Sequence, residues 1–416
     1  MNPTAASAAH GSPPERIERG LLVALAFVLP LFEAPKNLLW IAFLLTWIVN
    51  RVRAGDFGGR WEAWDTLIAL WIASGFVVAM FAGIRGDEWR AALDIVRYAS
   101  VLWVLRRSRY PARAWIALLA AIVAGTLAAL AWGYYGLIIA KGHKFLGLHS
   151  VGHVNHSATY LVIVFGMALA AGRAWWREMG RTRRAASLAL IVYLLVSLLW
   201  MQSRAAVGAA LVVVVGLLGV YAWRQRRGLR RVVIGAAIAV GVTILLKPQV
   251  VEKYEARMQE DRILAYRDQI WRIGLTAWRE HPLFGVGMDN FGAIGPEQMR
   301  TWAKNRGKAM DESRLFFTSH AHSLYVNTLA ERGVVGAAVL LAVLALWAVV
   351  LVRGIPEANA PPLLWTYWGG AAGAWLTAVV VGTVNTTLHH EHALLSMLLL
   401  GGWLSIAHSS ESVGGR

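Results

Sequence analysis

Ser319-His320-Ala321-His322-Ser323-Leu324-Tyr325 stands close to the end of Lys247–Ala330, the only long interval of this sequence without a predicted membrane span. Hydrophobic runs dominate the chain on both sides of that interval, which therefore separates two groups of predicted membrane helices. The interval carries an arginine where a helical pattern requires an apolar residue, and a histidine that leads into the next hydrophobic run. We expect it to form the reactive face of the protein.

The composition is typical of a polytopic membrane protein built from α-helices. Of 416 residues, 57% are hydrophobic and 16% are charged, and the mean hydropathy is +0.50, outside the range of ordinary soluble domains. The absence of cysteine excludes disulfides, thiolate metal sites and a cysteine nucleophile. The arginines behind the net charge of +17 lie in loops and form no separate basic domain, which argues against nucleic-acid binding.

We predict about twelve transmembrane helices. The first begins near Gly20, and the others fall near 38–50, 65–83, 92–105, 114–140, 157–172, 186–203, 205–223, 232–246, 334–352, 363–382 and 390–408. The predicted organisation has four parts: a flexible cytoplasmic tail (1–18), nine membrane helices (19–246), a long and largely helical outer loop (247–322) and three more membrane helices (323–416).

Arginine content predicts the orientation of these helices. Basic residues are concentrated in alternate short loops, around 51–60, 106–113, 173–184 and 224–231, and are sparse in the loops between them. Arginine-rich short loops face the cytoplasm. Both termini are then cytoplasmic, and the Lys247–Ala330 interval, His153–His156 and His389–His392 share the outer side.

Arg267 interrupts an apolar helical stripe. Between Glu252 and Glu280 this stripe consists of Ile263, Ile270, Trp271, Gly274 and Trp278. The other charged residues of the segment, namely Arg262, Asp268, Arg272, Arg279 and Glu280, fall on the opposite, solvated face. A guanidinium inside the stripe either pairs with a structural carboxylate or lines a polar cavity.

A glycine-rich turn follows this helix. His281-Pro282 should end the helix, and Phe284–Phe291 is typical of a turn in which Gly285 and Gly287 adopt positive φ or allow close backbone approach. No strand precedes it, so it is neither a dinucleotide-binding nor a P-loop motif.

His322 leads into the next predicted helix, on a face shared with Val326, Leu329, Gly333 and Gly336. The continuous apolar run starts only at Val334, so a straight helix would place His322 roughly 18 Å above the hydrocarbon edge. A histidine at that height is either structural or a catalytic base.

Three further sets of polar residues are candidates for binding. Arg204 joins two spans with almost no loop, and either reaches lipid headgroups or presents a fixed fork to a phosphate. His153, Asn155 and His156 suit sugar hydroxyls or a metal. His389, His390 and His392 also have possible ligand spacing, but no pattern compels zinc, and we predict no metal and no cofactor.

The order and spacing of these motifs resemble the O-antigen ligase and polymerase superfamily of bacterial envelope glycosyltransferases. The resemblance covers roughly 185–340 and rests on Ser203-Arg204, Arg267 four residues before Trp271, His281-Pro282-Leu283-Phe284-Gly285-Val286-Gly287, His322-Ser323-Leu324-Tyr325 and Glu331-Arg332-Gly333-Val334-Val335-Gly336. Gly152-His153-Val154-Asn155-His156-Ser157-Ala158 is similar to the lipopolysaccharide O-antigen ligases within that superfamily.

The resemblance implies a multi-pass inner-membrane enzyme with a fold like that of GT-C glycosyltransferases and an active site that faces the periplasm. Its partners would be an undecaprenyl-diphosphate-linked glycan donor, a lipid A-core acceptor and membrane lipids. By position, Arg204 and Arg267 match diphosphate-binding arginines and His322 matches the essential histidine, with His320 as a rival base. The family often has asparagine where this chain has Ser323.

Two other kinds of function are compatible with these sequence features. An O-antigen polymerase or a protein O-oligosaccharyltransferase of the same superfamily would differ only in its acceptor. A transporter of lipid-linked glycan or anions belongs to another class, but it would carry arginines inside its spans, whereas Arg204 and Arg267 lie at span ends or in the outer loop.

Overall fold

The computed structural model describes residues 13–142, 145–224, 266–307, 309 and 312–414. Within these residues the chain forms thirteen α-helices and no strand. They are α1 (Pro13–Val28), α2 (Glu33–Ala54), α3 (Ala63–Met80), α4 (Glu88–Arg106), α5 (Ala112–Tyr134), α6 (Val154–Ala174), α7 (Arg181–Trp200), α8 (Arg204–Arg224), α9 (Arg267–Glu280), α10 (Pro296–Asn305), α11 (Leu324–Arg353), α12 (Pro362–Gly382) and α13 (His390–Gly414).

The described helices support a polytopic membrane protein. Six of them are long and apolar enough to cross a membrane, namely α3, α5 with its π-helical continuation to Ile139, α6, α7, α8 and α11. Each predicted span except 232–246 coincides with a helix among the described residues. The 232–246 span, residues 1–12 of the predicted tail and residues 247–265 of the predicted loop lie outside the described residues, so the count of twelve stays a prediction.

Helix α6 is the centre of the bundle. It is the most buried of the candidate spans, and it packs between α12, α8 and α7. Small residues permit this packing, because the Cα atom of Gly373 in α12 lies 3.5 Å from the position that a Cβ atom would take at Gly166 in α6. Close approach of backbones at small residues is the usual way in which membrane helices associate.

Contacts at one end of the bundle establish the direction of these helices. The Tyr221 hydroxyl of α8 donates to the carbonyl of Ala170 in α6 at 3.4 Å, and its ring stacks on Trp365 of α12 at 4.2 Å. The N-termini of α6 and α8 therefore lie at the opposite end, together with the C-terminus of α12. We call that opposite end the site end.

The starts of α11 and α13 also lie at the site end. The Leu324 amide donates to the carbonyl of Asn385 at 3.2 Å, which joins α11 to the α12–α13 connection. The His390 amide donates to the hydroxyl of Tyr98 at 2.7 Å, which holds α13 against α4. Ends of five helices, namely α6, α8, α11, α12 and α13, thus lie at the site end.

Helix α11 is kinked, which overturns the expectation of a straight helix below His322. Gly333 has φ 58° and ψ −160°, values outside the helical region. The helix begins at Leu324 after the N-cap Ser323, so His322 precedes it and has φ 48°. The estimated height of 18 Å and the helical face shared with Val326 therefore do not hold.

Candidate active site

The segment that carries His322 is held in place by a chain of side-chain hydrogen bonds. The amide of Ala321 donates to Asn327 Oδ1 at 2.8 Å, and Asn327 Nδ2 donates to Glu331 Oε2 at 2.8 Å. Glu331 Oε1 accepts from the amide of Phe291 at 3.3 Å. Sequence reasoning missed Asn327, whose only local signal is a polar residue one turn before Glu331 in a run that becomes apolar.

The turn after α9 packs against the kink of α11. The amides of Val286 and Gly287 donate to the carbonyls of Ala330 and Glu331, both at 2.9 Å. Gly285 has φ 68° and Gly287 has φ 104°, as predicted for this turn. A Cβ atom at Gly285 would overlap the backbone of Glu331. These two glycines therefore permit close backbone approach and position α11.

Arg267 is the first residue of α9 and lies beside the segment that anchors His322. Its Nε donates to the carbonyl of Val384 at 2.8 Å, and the next residue, Asn385, accepts from the amide of Leu324. The helix ends at Glu280, as His281-Pro282 predicts. Asp268, Arg272 and Arg279 are exposed, also as predicted.

The predicted apolar stripe of α9 is only partly correct. Its buried residues are Ile270, Ile273, Gly274 and Ala277, whereas Trp271 and Trp278 are half-buried. Ile263 and Arg262 lie outside the described residues. The buried face packs into a small second core with Phe291, Met299 and Trp302, and this core supports the N-terminus that carries Arg267.

The lowered pKa of His322 favours its neutral imidazole near pH 7. Burial, and next to it the Arg267 guanidinium, lower the pKa of His322, against a smaller opposing effect of the Asn385 side chain. The imidazole of His320 lies 4.1 Å away between ring centroids. A neutral imidazole beside a guanidinium can accept a proton while the arginine binds an anion.

Arg204 is the first residue of α8, half-buried at the site end. Val213 of α8 lies beside Gly166 of α6 and Gly373 of α12. Nine residues of helix, roughly 13 Å, lie between each of these three residues and the site end. The corresponding residues there are Arg204 in α8, Ser157 in α6 and Gly382 in α12. Arg204 therefore shares its level with the end of α12, while a common site for Arg204, Arg267 and His322 stays a prediction.

A cluster of histidines fills the region beside His322. It consists of seven residues, which we call the histidine cluster: His153, His156, His320, His322, His389, His390 and His392. His156 is central, with ring-centroid distances of 4.5 Å to His389, 5.6 Å to His392, 5.7 Å to His390, 6.1 Å to His153 and 6.2 Å to His320. The site end thus brings together three segments that are far apart in the sequence.

The remaining predicted candidates have distinct local roles. His153 caps α6, because its Nδ1 accepts from the amide of Asn155 at 3.2 Å. Asn155 is half-buried in the first turn of α6, and its carbonyl accepts from Thr159. His320 contacts the hydroxyl of Ser319 at 3.0 Å. Burial, with smaller contributions from the neighbouring histidines, lowers the pKa of His320 to about 4.

Comparison with known families confirms the resemblance found in the sequence. Residues 188–341 match the family described as "O-Antigen ligase". No curated protein matches the chain. The matched region contains Arg204, Arg267, His320 and His322, whereas His153, His156 and the His389–His392 segment lie outside it. Residues 188–341 of the chain are therefore similar to the O-antigen ligase family.

Proposed function

We propose that this protein is a glycosyltransferase that ligates O-antigen polysaccharide from undecaprenyl diphosphate to lipid A-core oligosaccharide. The superfamily implies glycan ligation in general. One observation favours this chemistry at the site end. The Arg267 guanidinium helps to lower the pKa of His322. Arg267 donates to the carbonyl of Val384, and Leu324, two residues after His322, donates to the carbonyl of Asn385.

In the proposed reaction His322 is the general base of a direct, inverting displacement. Its neutral imidazole accepts the proton of the acceptor sugar hydroxyl as that oxygen bonds to the anomeric carbon of the donor. The bond from that carbon to the phosphate oxygen breaks, and undecaprenyl diphosphate leaves with the electron pair. General base catalysis of this kind typically contributes about 10²–10⁴ in rate.

Arg204 and Arg267 are proposed to bind the diphosphate. Negative charge grows on the leaving oxygens in the transition state, and guanidinium groups remain charged in poorly solvated sites and bind phosphate with two parallel hydrogen bonds. The transfer step therefore needs no metal ion. His320 is the weaker candidate for the base, because a group with a pKa of about 4 has little affinity for a proton at pH 7.

The proposed site faces the periplasm of a bacterial inner membrane, with both termini in the cytoplasm. Support comes from the basic residues at the end of the bundle opposite the site end, such as Arg106 of α4, Arg173 of α6 and Arg224 of α8. Such clusters favour the cytoplasmic side. The proposed complete architecture has twelve spans, arranged as nine, an outer loop (247–322) and three, with a GT-C-like fold.

Ligation by the purified protein in detergent tests this function. We expect the protein to join a defined undecaprenyl-diphosphate glycan to lipid A-core without an ion gradient. His322→Ala should abolish the reaction, and loss of both Arg204 and Arg267 should prevent donor binding. Activity that survives either change would contradict the assigned roles.

The same assay separates the rival activities. Supplied together, lipid A-core, a second glycan lipid and a pilin-type protein compete as acceptors. Transfer to lipid A-core identifies the proposed ligase, whereas transfer to the glycan lipid or to the protein identifies a polymerase or a protein oligosaccharyltransferase. No joined product with any acceptor, combined with gradient-dependent movement of the glycan lipid in vesicles, would identify a transporter.

A further inference from the structure

Three residues of the histidine cluster have the geometry of metal ligands. One ring nitrogen from each of His156, His389 and His392 lies within 4.8 Å of the other two. His156 is in the first turn of α6, and His389 and His392 flank the start of α13. His389 precedes the helix, and its ring lies 4.9 Å from the ring of His392 and 4.5 Å from that of His156 between centroids.

The rings of His156 and His392 are buried and that of His389 is half-buried, and several of their nitrogen atoms lack partners among the described residues. His156 is 7% exposed and His392 is 1% exposed. Among the described residues, no group hydrogen-bonds to Nδ1 of His156, to Nε2 of His389 or to either ring nitrogen of His392. A buried polar atom without a partner costs free energy, so native proteins rarely leave several together. Four such atoms in one place indicate that something outside the chain binds there.

The nearby carboxylate does not belong to this group. Glu391 lies between His390 and His392 in the sequence, but its carboxylate pairs with Lys36 and accepts from Ser150 Oγ at 3.4 Å. The described residues whose ligand atoms lie close enough together to share one ion here are therefore His156, His389 and His392. Imidazole donors suit zinc, copper, nickel and iron, whereas magnesium and calcium require oxygen.

We propose that His156, His389 and His392 bind one divalent transition-metal ion, with zinc as the best fit. A tetrahedral zinc ion with Zn–N bonds near 2.1 Å separates its ligand nitrogens by about 3.4 Å. The three nitrogens lie within 4.8 Å of one another, so binding an ion would draw the rings closer together. Three protein ligands leave the fourth position to water or a sugar hydroxyl.

The ion would connect the start of α6 to the start of α13, beside the proposed active site. It lies outside the region that matches the O-antigen ligase family, so that match does not account for it. The proposed transfer step forms no bond to it. Its role is to hold the wall of the site end that faces His320 and His322.

Metal titration of the complete protein tests this site. The protein is purified without a polyhistidine tag, stripped with EDTA, and titrated with Zn²⁺ alone and with Co²⁺ alone. We expect one ion per chain, the intense visible absorption of four-coordinate Co²⁺, and a higher thermal unfolding temperature with metal than without. No stoichiometric binding would overturn the proposal.

Substitutions identify the ligands. His156→Ala and His392→Ala should each weaken binding at least tenfold and remove the stabilisation by metal. His408→Ala is the matched control, since His408 is exposed near the other end of α13, and it should bind like the unaltered protein. Unchanged binding in both cluster variants, or an equal loss in His408→Ala, would place the metal elsewhere and overturn the proposal.

Two controls distinguish a loss of metal binding from misfolding and from a loss of ligation activity. The metal-free unfolding temperatures of the variants identify any that fail to fold, and His389→Gln, which keeps the side-chain volume, then replaces such a variant. Loss of ligation in EDTA with recovery in Zn²⁺ would support the metal site while it overturns the metal-independent reaction of the proposed function. Failure of ligation under every condition would contradict the proposed function, whereas the metal titration would still decide whether the metal site exists.

Discussion

Two buried polar groups that contact α4 differ in how completely their hydrogen bonds are satisfied. Near its C-terminus, Asp65 accepts from Arg107 Nε at 2.8 Å, Arg106 Nη1 at 2.9 Å and Trp103 Nε1 at 2.9 Å. We call these residues the Asp65 network. In the middle of α4, Tyr98 holds the start of α13 in the histidine cluster, where several ring nitrogens have no partner among the described residues.

This difference in hydrogen bonding distinguishes a structural group from a candidate binding site. A buried ion pair whose donors are all used joins helices and offers nothing to a ligand, because any new bond would replace an existing one. A buried cluster whose ring nitrogens lack hydrogen bonds destabilises the protein in the absence of a ligand. Proteins retain such destabilising groups at sites where binding or catalysis uses them. Substitutions in the two regions should therefore affect different measurements.

The largest effect is expected for His322→Ala, which should lower the rate of ligation by about 10²–10⁴ because it removes the general base. Single-turnover kinetics with saturating donor measure this change. The thermal unfolding temperature should change little, and His408→Ala should leave the rate unaltered. A loss of rate in His320→Ala that is absent in His322→Ala would assign the base to His320.

Asp65→Ala should have the opposite pattern. It leaves the buried guanidinium of Arg107 without its carboxylate and removes one of the two carboxylates that pair with Arg106. Removing one partner of a buried ion pair typically costs about 3–5 kcal/mol. Equilibrium or kinetic unfolding in detergent measures that loss. Asp94→Ala is the matched control, because its pair with Arg97 is partly exposed and should be worth at most about 1 kcal/mol. Equal effects of the two substitutions would contradict the importance of the Asp65 network.

A smaller effect is expected for Gly285→Ala, which should destabilise the protein by about 1–3 kcal/mol because alanine is strained at φ 68°. The new methyl group also meets the α11 kink, so the rate should fall with stability. Gly295→Ala has a negative φ and open space around the added atom, and it should be nearly neutral. A neutral Gly285→Ala would show that the turn is not tightly packed.

The smallest effect concerns pH. Because its pKa is lowered, His322 stays neutral to a lower pH than an ordinary histidine, and the rate should decline below that pH as His322 gains a proton. Arg267→Gln removes one cause of the lowered pKa, so this acid limb should move to higher pH. The groups that face His322 are Arg267, His153, His320 and Asn385.

A profile of kcat/KM against pH measures this shift, with Arg272→Gln as the control on the same helix. Arg272 is exposed, so its loss should leave the acid limb in place. An acid limb that stays unchanged in Arg267→Gln would mean that Arg267 does not act on His322.

Much of the fold was predictable because its signals are local. Hydropathy located the membrane helices, the His281-Pro282 pair ended α9, and the two glycines marked a turn with positive φ. The straight α11 was a wrong prediction, since Gly333 departs from the helix only because the Pro282–Gly285 turn packs against it. The positions of Trp271 and Trp278 were also misjudged, because the neighbours of α9 decide which part of its surface is buried.

The sequence by itself determined the class of protein, the alternation of basic loops and the identity of His322, Arg204 and Arg267 as candidates, because each of these follows from residue type and short spacing. Tertiary structure alone decided that His156 lies against His389 and His392, and that Arg267 is tied to the backbone beside His322. Contacts between segments so far apart depend on helix packing and close backbone approach, which no local pattern specifies.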